Sequence, residues 1–431
     1  MKKTICWLLL LVMLLAGCTG KAVEKTAGEN PILQSEPAPQ GSDITPPAVE
    51  NDEPTPTIPP IDGYNDFMSV LSAALMDGQS NKNLSPVSVY IALAMAAEGA
   101  KGDTQEELLA ILGEKKLKDL RKSVEQMLKD LKTEGTDGEL VLANSIWLGR
   151  QDESVAFHET YLKTLAKSYG AEAGAVRFGA AEAGEKIAAW IKEKTRDKIQ
   201  PSEDAMTFNA DTLAVLINTI YLKDSWQKPF DPERTEQDTF SGLQGKEIIV
   251  KYMRRTDSNA AVVRGEGYLR YALPLRDVGR MVFVLPNEEV SLESLLGSPE
   301  KINELLRGGE EVNADVDLKV PKFTFQDRTD LEKTLMDLGV RISFTGGADF
   351  SGITDTPAHI SRVLQESHIG VNEDGVEAAA YTMIALAKSS MSIEKRDKID
   401  FHLTRPFLYA IESYDGTVLF IGTVTEPDKA Q

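Results

Sequence analysis

Cysteine is all but absent from this chain: Cys6 and Cys18 are the two in 431 residues. Both fall in the first eighteen positions. From residue 19 onward no disulfide, thiol nucleophile or cysteine-based metal site can be built. Histidine is nearly as scarce. His158, His359, His368 and His402 are the four, and none has a metal spacing such as H-E-x-x-H. There is no G-x-S-x-G and no phosphate-binding glycine loop. Gly265-Glu266-Gly267 reads as a turn, and Glu182 with Glu185 as a solvated helix face rather than an acid/base pair. The chain therefore reads as a non-enzyme that needs no cofactor and no metal. Positive charge is short as well. Lys and Arg number 47 against 67 Asp and Glu, a net charge of −20, which argues against nucleic acid as a partner. What is plentiful is apolar content, 42%, enough for a large core. Length alone suggests two or three domains, but no internal repeat and no second domain is visible.

The N-terminus is a targeting segment rather than structure. Lys2-Lys3 is followed by the apolar run Ile5 to Leu15, too short to span a bilayer as a helix of about 20 residues. Leu15-Ala16-Gly17-Cys18 looks like a bacterial lipobox, which would make Cys18 the lipidated first residue of the mature chain; the alternative is an ordinary secretory signal cleaved nearby. Residues 1–18 are thus a lipoprotein signal and Cys6 leaves with it. Residues 19–61 read as a linker, because nine of the twenty prolines lie between Pro31 and Pro60 and apolar residues are sparse. About 42 such residues reach ~35–40 Å. Ile32-Leu33 is the one apolar pair by which the linker could dock on the domain. The expected location is extracytoplasmic, lipid-anchored in the cell membrane or at the cell surface, or secreted if processed.

From residue 62 the chain alternates strand and helix signals. Tyr64 to Met76 has helical spacing. Asn83 and Ser85 are cap-type residues and Pro86 suits the first turn of an apolar helix, Val87 to Gly99. Asp103-Thr104-Gln105-Glu106-Glu107 carries a capping signature. Leu140 to Leu148 reads as a strand, Glu182 to Ile199 as a helix. Leu213 to Leu222 is a near-continuous apolar run, as in a strand covered on both faces.

The stretch around which the rest is organised is Glu373 to Phe401. A turn signal, Asn372-Glu373-Asp374-Gly375, precedes Val376 to Ala387, which holds one charge, Glu377, and neither Pro nor Gly. Ala-rich composition favours a helix there. Period two favours a strand, with positions 376, 378, 380, 382, 384 and 386 on one face and Glu377 and Tyr381 on the other. An exposed loop at one time and a buried strand at another reconciles the two.

Glu373-Asp374-Gly375-Val376-Glu377-Ala378-Ala379-Ala380 resembles the reactive-loop hinge of inhibitory serpins. Arg405-Pro406-Phe407-Leu408-Tyr409, then Leu419-Phe420-Ile421-Gly422-Thr423-Val424 and Pro427, resemble the serpin C-terminal signature. Asn83-Leu84-Ser85-Pro86, Ala143 to Trp147, Asn218, Trp226, Lys228-Pro229-Phe230 and Val320-Pro321-Lys322-Phe323 follow the family's order, so the resemblance spans about 62–427. It implies an α+β fold: a large mixed central sheet of five strands with a sixth on loop insertion, two further sheets, and eight to nine helices. Two departures stand out. Ala188 replaces a frequent Asn and Gln365 a frequent His, both near the point where the central sheet opens, together with Ser85, Ser88, Asn218 and Trp226. The pair of changes is consistent with one contact replaced jointly.

The resemblance implies a suicide inhibitor of serine-type endopeptidases, and of cysteine proteases as a further class. A loop over about 373–400 would be offered as substrate and acylate the protease. The segment from Val376 onward would then insert into the central sheet, with Gly375 as pivot and Val376 first to enter. Small Ala378, Ala379 and Ala380 suit insertion, and Glu377 lies in the outward register. Side-chain burial alone does not exceed the ordering cost, so ladder hydrogen bonds and relief of strain must supply the surplus. The family's hinge length places the scissile bond at Ser389-Ser390, with Lys388-Ser389 one residue earlier. Ser389 suits elastase- or subtilisin-like targets and Lys388 trypsin-like ones. The expected partners are a protease, held covalently, and a membrane through the lipid, on a monomeric chain. The rival function is a non-inhibitory serpin acting as a binding or chaperone-like lipoprotein, which bulky Tyr381 favours. A solute-binding lipoprotein on an unrelated fold would share the lipobox and linker but not the ordered motifs.

Overall fold

The apolar run at 213–222 leads into and forms the first nine residues of a strand, β4 (Ala214–Ser225), in which all residues but one are buried. The structure is a computed structural model that describes residues 61–132, 138–150, 155–201, 206–210, 212–376 and 396–430. Thr57–Gln431 clusters as one unit. Among the described residues it holds nine α-helices: α1 (Gly63–Leu75), α2 (Pro86–Gly99), α3 (Gly102–Ile111), α4 (Leu117–Asp130), α5 (Glu159–Thr164), α6 (Ala181–Lys194), α7 (Leu292–Leu295), α8 (Pro299–Arg307) and α9 (Glu332–Asp337). The other strands are β1 (Lys82–Leu84), β2 (Glu139–Gly149), β3 (Glu172–Val176), β5 (Glu236–Ser241), β6 (Glu247–Gly265), β7 (Tyr268–Pro274), β8 (Gly279–Pro286), β9 (Glu310–Pro321), β10 (Phe323–Asp330), β11 (Ile360–Val371), β12 (Gly375–Val376), β13 (Asp397–His402), β14 (Phe407–Ser413) and β15 (Val418–Val424). The class is α+β with mixed sheets, as the sequence implies.

One sheet runs β10-β11-β12-β4-β2-β3. Five of these are full strands; β12 is two residues long. The β11–β4 and β2–β3 pairs are parallel and the others antiparallel. The remaining strands join in one nine-stranded sheet rather than two separate ones. The reason is β6, whose 19 residues pair with β5, β7 and β9 in turn and so bridge what would otherwise be two sheets.

Helix α2 packs on one face of the six-stranded sheet. It is apolar on all sides and buried along nearly its whole length, which is the signature of a core helix. Helix α6 covers the other face through Ala183, Ile187, Trp190 and Ile191, which meet Val215, Ile217, Trp147 and Leu364 in a second core. The Trp147 and Trp190 rings meet edge to face at 6.4 Å.

Three local expectations are corrected. Helix α6 ends at Lys194 instead of reaching Ile199, because Arg196 and Asp197 turn left-handed at φ of 52° and 59°. The capping signature at the start of α3 makes no N-cap bond for that helix; Gln105 Nε2 donates to the Ala97 and Ala100 carbonyls at the end of α2. Thr104 Oγ1 instead accepts the Asp349 amide, and the Glu107 carboxylate accepts those of Arg341, Ile342 and Ser343. Ser85 is the N-cap of α2 by position, but its hydroxyl makes no cap bond.

Candidate functional site

The sheet has one weak line. Between β11 and β4 a parallel ladder runs from Ile360–Ala214 to Ser367–Ile220. Beyond it the two strands diverge, and β12 fills the gap, with Val376 opposite both Val371 of β11 and Asp224 of β4. The strands thus part around the first two residues of a potential new strand and stay zipped below.

The zipped part is clamped from the α2 side by a polar group that the near-apolar strands β4 and β11 carry unexpectedly. Gln365 and Asn218 face each other across the seam. The Gln365 amide nitrogen donates to Asn218 Oδ1 at 2.8 Å and to the Ser85 carbonyl at 2.9 Å. Its oxygen accepts the Ser85 backbone N–H at 2.8 Å. That amide is one of the donors a helix start leaves without an intrahelical partner. One side chain therefore ties both strands of the seam to the start of α2. Ser367 on β11 adds a hydroxyl donated to the Asn83 carbonyl at 2.5 Å, and Tyr409 donates to Asn83 Oδ1 at 2.8 Å. The Ser85, Ser88 and Thr219 hydroxyls, Asn218 Nδ2 and Asn144 Oδ1 are buried without a protein hydrogen-bond partner among the described residues.

The open end is held by a separate set. The Asn372 side-chain oxygen accepts the amides of Asp374 and Gly375, making the tight turn from β11 into β12. Trp226, fully buried, donates its indole N–H to the Asn372 carbonyl and its backbone N–H to that of Asp374, both at 2.9 Å. Glu373 meets Lys322 Nζ at 2.8 Å and the Thr235 hydroxyl at 2.8 Å. Burial works against its charge, but the Lys322 ammonium, the Thr235 hydroxyl and its own backbone amide together hold its carboxyl below the ordinary range. Gly375 is required by close approach: a Cβ there would stand 2.1 Å from the Asp224 carbonyl oxygen. Asp224 itself accepts the amides of Ser225, Asp277 and Val278. Burial nonetheless raises its carboxyl above the ordinary range.

The structure brings Ser85, Asn218 and Gln365 together at the seam, while Ser88 is buried on the first turn of α2, its hydroxyl making no hydrogen bond to them among the described residues. Trp226, grouped with them on sequence, sits instead at the open end against Asn372 and Asp374. Ser85 acts through its backbone and not its hydroxyl. Ala188 is no partner of Gln365. It lies on α6 against the second core, on the face of the sheet opposite to the one Gln365 uses, so the two departures do not replace one contact jointly. Gly375 and Val376 are already in the sheet, which removes Val376 as the first residue to enter and Gly375 as a free pivot. Glu377, Ala378, Ala379, Ala380, Lys388, Ser389, Ser390 and Cys18 lie outside the described residues. Sequence reasoning did not assign Asn83, Lys322, Thr235, Asp224 and Ser367 to the site. The run Gln365-Glu366-Ser367 inside a central strand was a usable signal, since buried polar residues in such a strand need a reason.

No histidine marks a catalytic centre among the described residues. His158 pairs with Asp355 and His402 with Asp317 at 2.9 Å. Among the described residues, the one His/Asp group close enough to hold a cation, Asp317, Asp400 and His402, also has Arg254 Nη2 at 3.4 Å from Asp317.

A family model described as Serpin (serine protease inhibitor) matches residues 62–427. An uncharacterized serpin-like protein of Methanosarcina acetivorans is 30% identical over 84% of this chain and 86% of its own. Another, of Thermococcus kodakarensis, is 30% identical over 99% of both chains. The crystal structure of Serpin48, described as a highly specific serpin in the insect Tenebrio molitor, superposes with a TM-score of 0.74 at 28% identity, over 85% of this chain and 97% of that one.

Proposed function

The chain belongs to the serpin family, and on that premise we propose that it inhibits serine endopeptidases by covalent capture and loop insertion, from a lipid anchor at Cys18. One observation carries this reading. If the antiparallel register of Gly375 and Val376 is continued down the seam, several of the following residues would meet chemically matched pairs. Glu377 would lie beside Lys223 and Gly370, and Ala378 between Leu222 and Ile369. Thr382 would fall between Asn218 and Gln365, where buried polar atoms lack protein partners. Met383 would meet Ile217 and Leu364 of the second core, and Ile384 would meet Leu216 and Val363. The two flanking strands give one register, because Val371 and Asp224 keep the offset of the Gln365–Asn218 pair.

In the chemistry, the protease's nucleophilic oxygen adds to the carbonyl carbon of the scissile bond, at Ser389-Ser390 or Lys388-Ser389. The C-terminal fragment leaves as the amine, taking a proton, and the N-terminal part stays as an ester on the protease. Insertion then carries the ester away before water can attack. The family's known role as protease inhibitors supports the class of partner; the lipobox supports the anchor.

The test is incubation of the mature chain with subtilisin, elastase and trypsin. SDS-stable complexes and a released C-terminal peptide starting at Ser389 or Ser390 are expected. Cleavage without complex at every protease would leave the chain a substrate and end the inhibitor reading. For the anchor, palmitate labelling that persists in a Cys18→Ala variant would end the lipidation reading.

A further inference from the structure

Glu366 is a charged-type residue in the middle of the seam, and neither the clamp nor the hinge uses it. It lies on β11 directly opposite Thr219 of β4, one row from the Gln365–Asn218 pair but on the α6 side of the sheet. It is only 5% exposed. Its Oε1 has no hydrogen bond, and neither does the Thr219 hydroxyl facing it. Among the described residues, the one ion-pair distance it makes is 3.7 Å, to Arg328 Nε on β10. β10 lies on the side of β11 away from the seam.

The other charged or titratable groups around it are Asp327 on β10, and Arg362 and His368 on its own strand. From β4 it is faced by Thr219 and, one pair along, Tyr221. β4 thus brings no cation to the seam side at this row. An ionised carboxylate here is desolvated by burial and offset by Arg328 from behind, at a distance too long for a hydrogen bond, and by Arg362 along its own strand. Parting β11 from β4 would return it to water.

We propose that Glu366 is a wedge for sheet opening: when ionised it destabilises the closed β11–β4 seam, so the sheet admits a new strand more readily than when Glu366 is protonated. The inference rests on the inhibitor reading and adds to it a pH window. Burial pushes the Glu366 carboxyl up to about 7, against the pull of Arg328 and with a smaller push from Asp327. A folded-state value above the unfolded one means that its stabilising effect is present at low pH and lost as pH rises through about 7. The closed sheet is therefore tighter at pH 6 than at pH 8.

The test uses the intact mature chain and an acetylated synthetic peptide, Glu377–Ala387, as a strand that can add to the seam below the seated Val376. Annealing is followed by native gel at pH 6 and pH 8, for the wild type and for Glu366→Gln, which mimics the protonated acid. Glu366→Leu serves as a second neutral variant. The wild type should anneal about tenfold faster at pH 8 than at pH 6, one pKa unit's worth of differential interaction. Both neutral variants should show a flat profile at the slower rate. A flat wild-type profile, or an equal pH dependence in Glu366→Gln, overturns the wedge while leaving the inhibitor reading standing on its protease complexes. Absence of annealing at either pH in every variant overturns the wedge as well. Whether the inhibitor reading falls with it is decided separately, by the presence or absence of SDS-stable complex.

Discussion

Truncating Gln365 to alanine should loosen the intact protein more than the loop-cleaved one. The side chain makes three hydrogen bonds in the closed sheet, two to the Ser85 backbone and one to Asn218 Oδ1. At about 1 kcal/mol net for each, the loss is about 3 kcal/mol. In a domain of this size that lowers the melting temperature by roughly 5 °C. In the inserted form Thr382 would stand between Gln365 and Asn218, so only the two Ser85 bonds remain to be lost, and the expected drop is nearer two-thirds as large. The assay is differential scanning at one fixed scan rate, because melting of this kind is scan-rate dependent, on intact and loop-nicked samples of wild type and Gln365→Ala. The variant should also convert faster to an inactive inserted state on mild heating. Equal losses in the two forms would mean that Gln365 is an ordinary core residue. No loss in the intact form would mean that something other than Gln365 holds the seam.

Further perturbations address the open end. Gly375→Ala would drive a Cβ to 2.1 Å from the Asp224 carbonyl, so Gly375 and Val376 should leave the sheet; amide exchange at Val376 should rise at least tenfold, and an unchanged rate would contradict the close approach. Val376→Arg places a charge at a fully buried position and should turn inhibitor into plain substrate; an SDS-stable complex formed at the wild-type rate would refute that. Glu373→Gln removes the ion pair with Lys322, worth about 1 kcal/mol for a half-buried pair. Because the Glu373 carboxyl is held below its ordinary range, this stabilisation is present above the unfolded carboxylate pKa and lost as pH falls through the lower folded value. The melting difference between wild type and Glu373→Gln should therefore be constant from pH 6 to 8 and shrink toward pH 3, and a difference that grows on acidification would contradict the pairing.

The legible part of the fold was its periodic part. The all-round apolar pattern at 86–99 and the run at 214–222 are carried by local composition, and both became what that composition demands, a buried helix and a doubly covered strand. The boundaries were less so. Arg196 and Asp197 end α6 in a left-handed turn that neither residue type announces, and the Asp103–Glu107 signature is spent on a loop more than 230 positions away. For the site, sequence alone could name Gln365 as a departure but not its partners, because it reaches a backbone 280 positions distant. The seating of Gly375 and Val376 was hidden for the same reason: two residues carry no period, and their place is decided by a gap between β11 and β4 that only the assembled sheet possesses.

The account stands on a closed sheet that is not the most stable arrangement of this chain. The direct measurement is the melting temperature of the mature protein before and after a single nick in residues 385–391 by a protease it does not trap. A rise of tens of degrees, with the Thr382 amide newly protected from exchange, is the predicted result. An unchanged melting temperature in a cleanly nicked sample would contradict it.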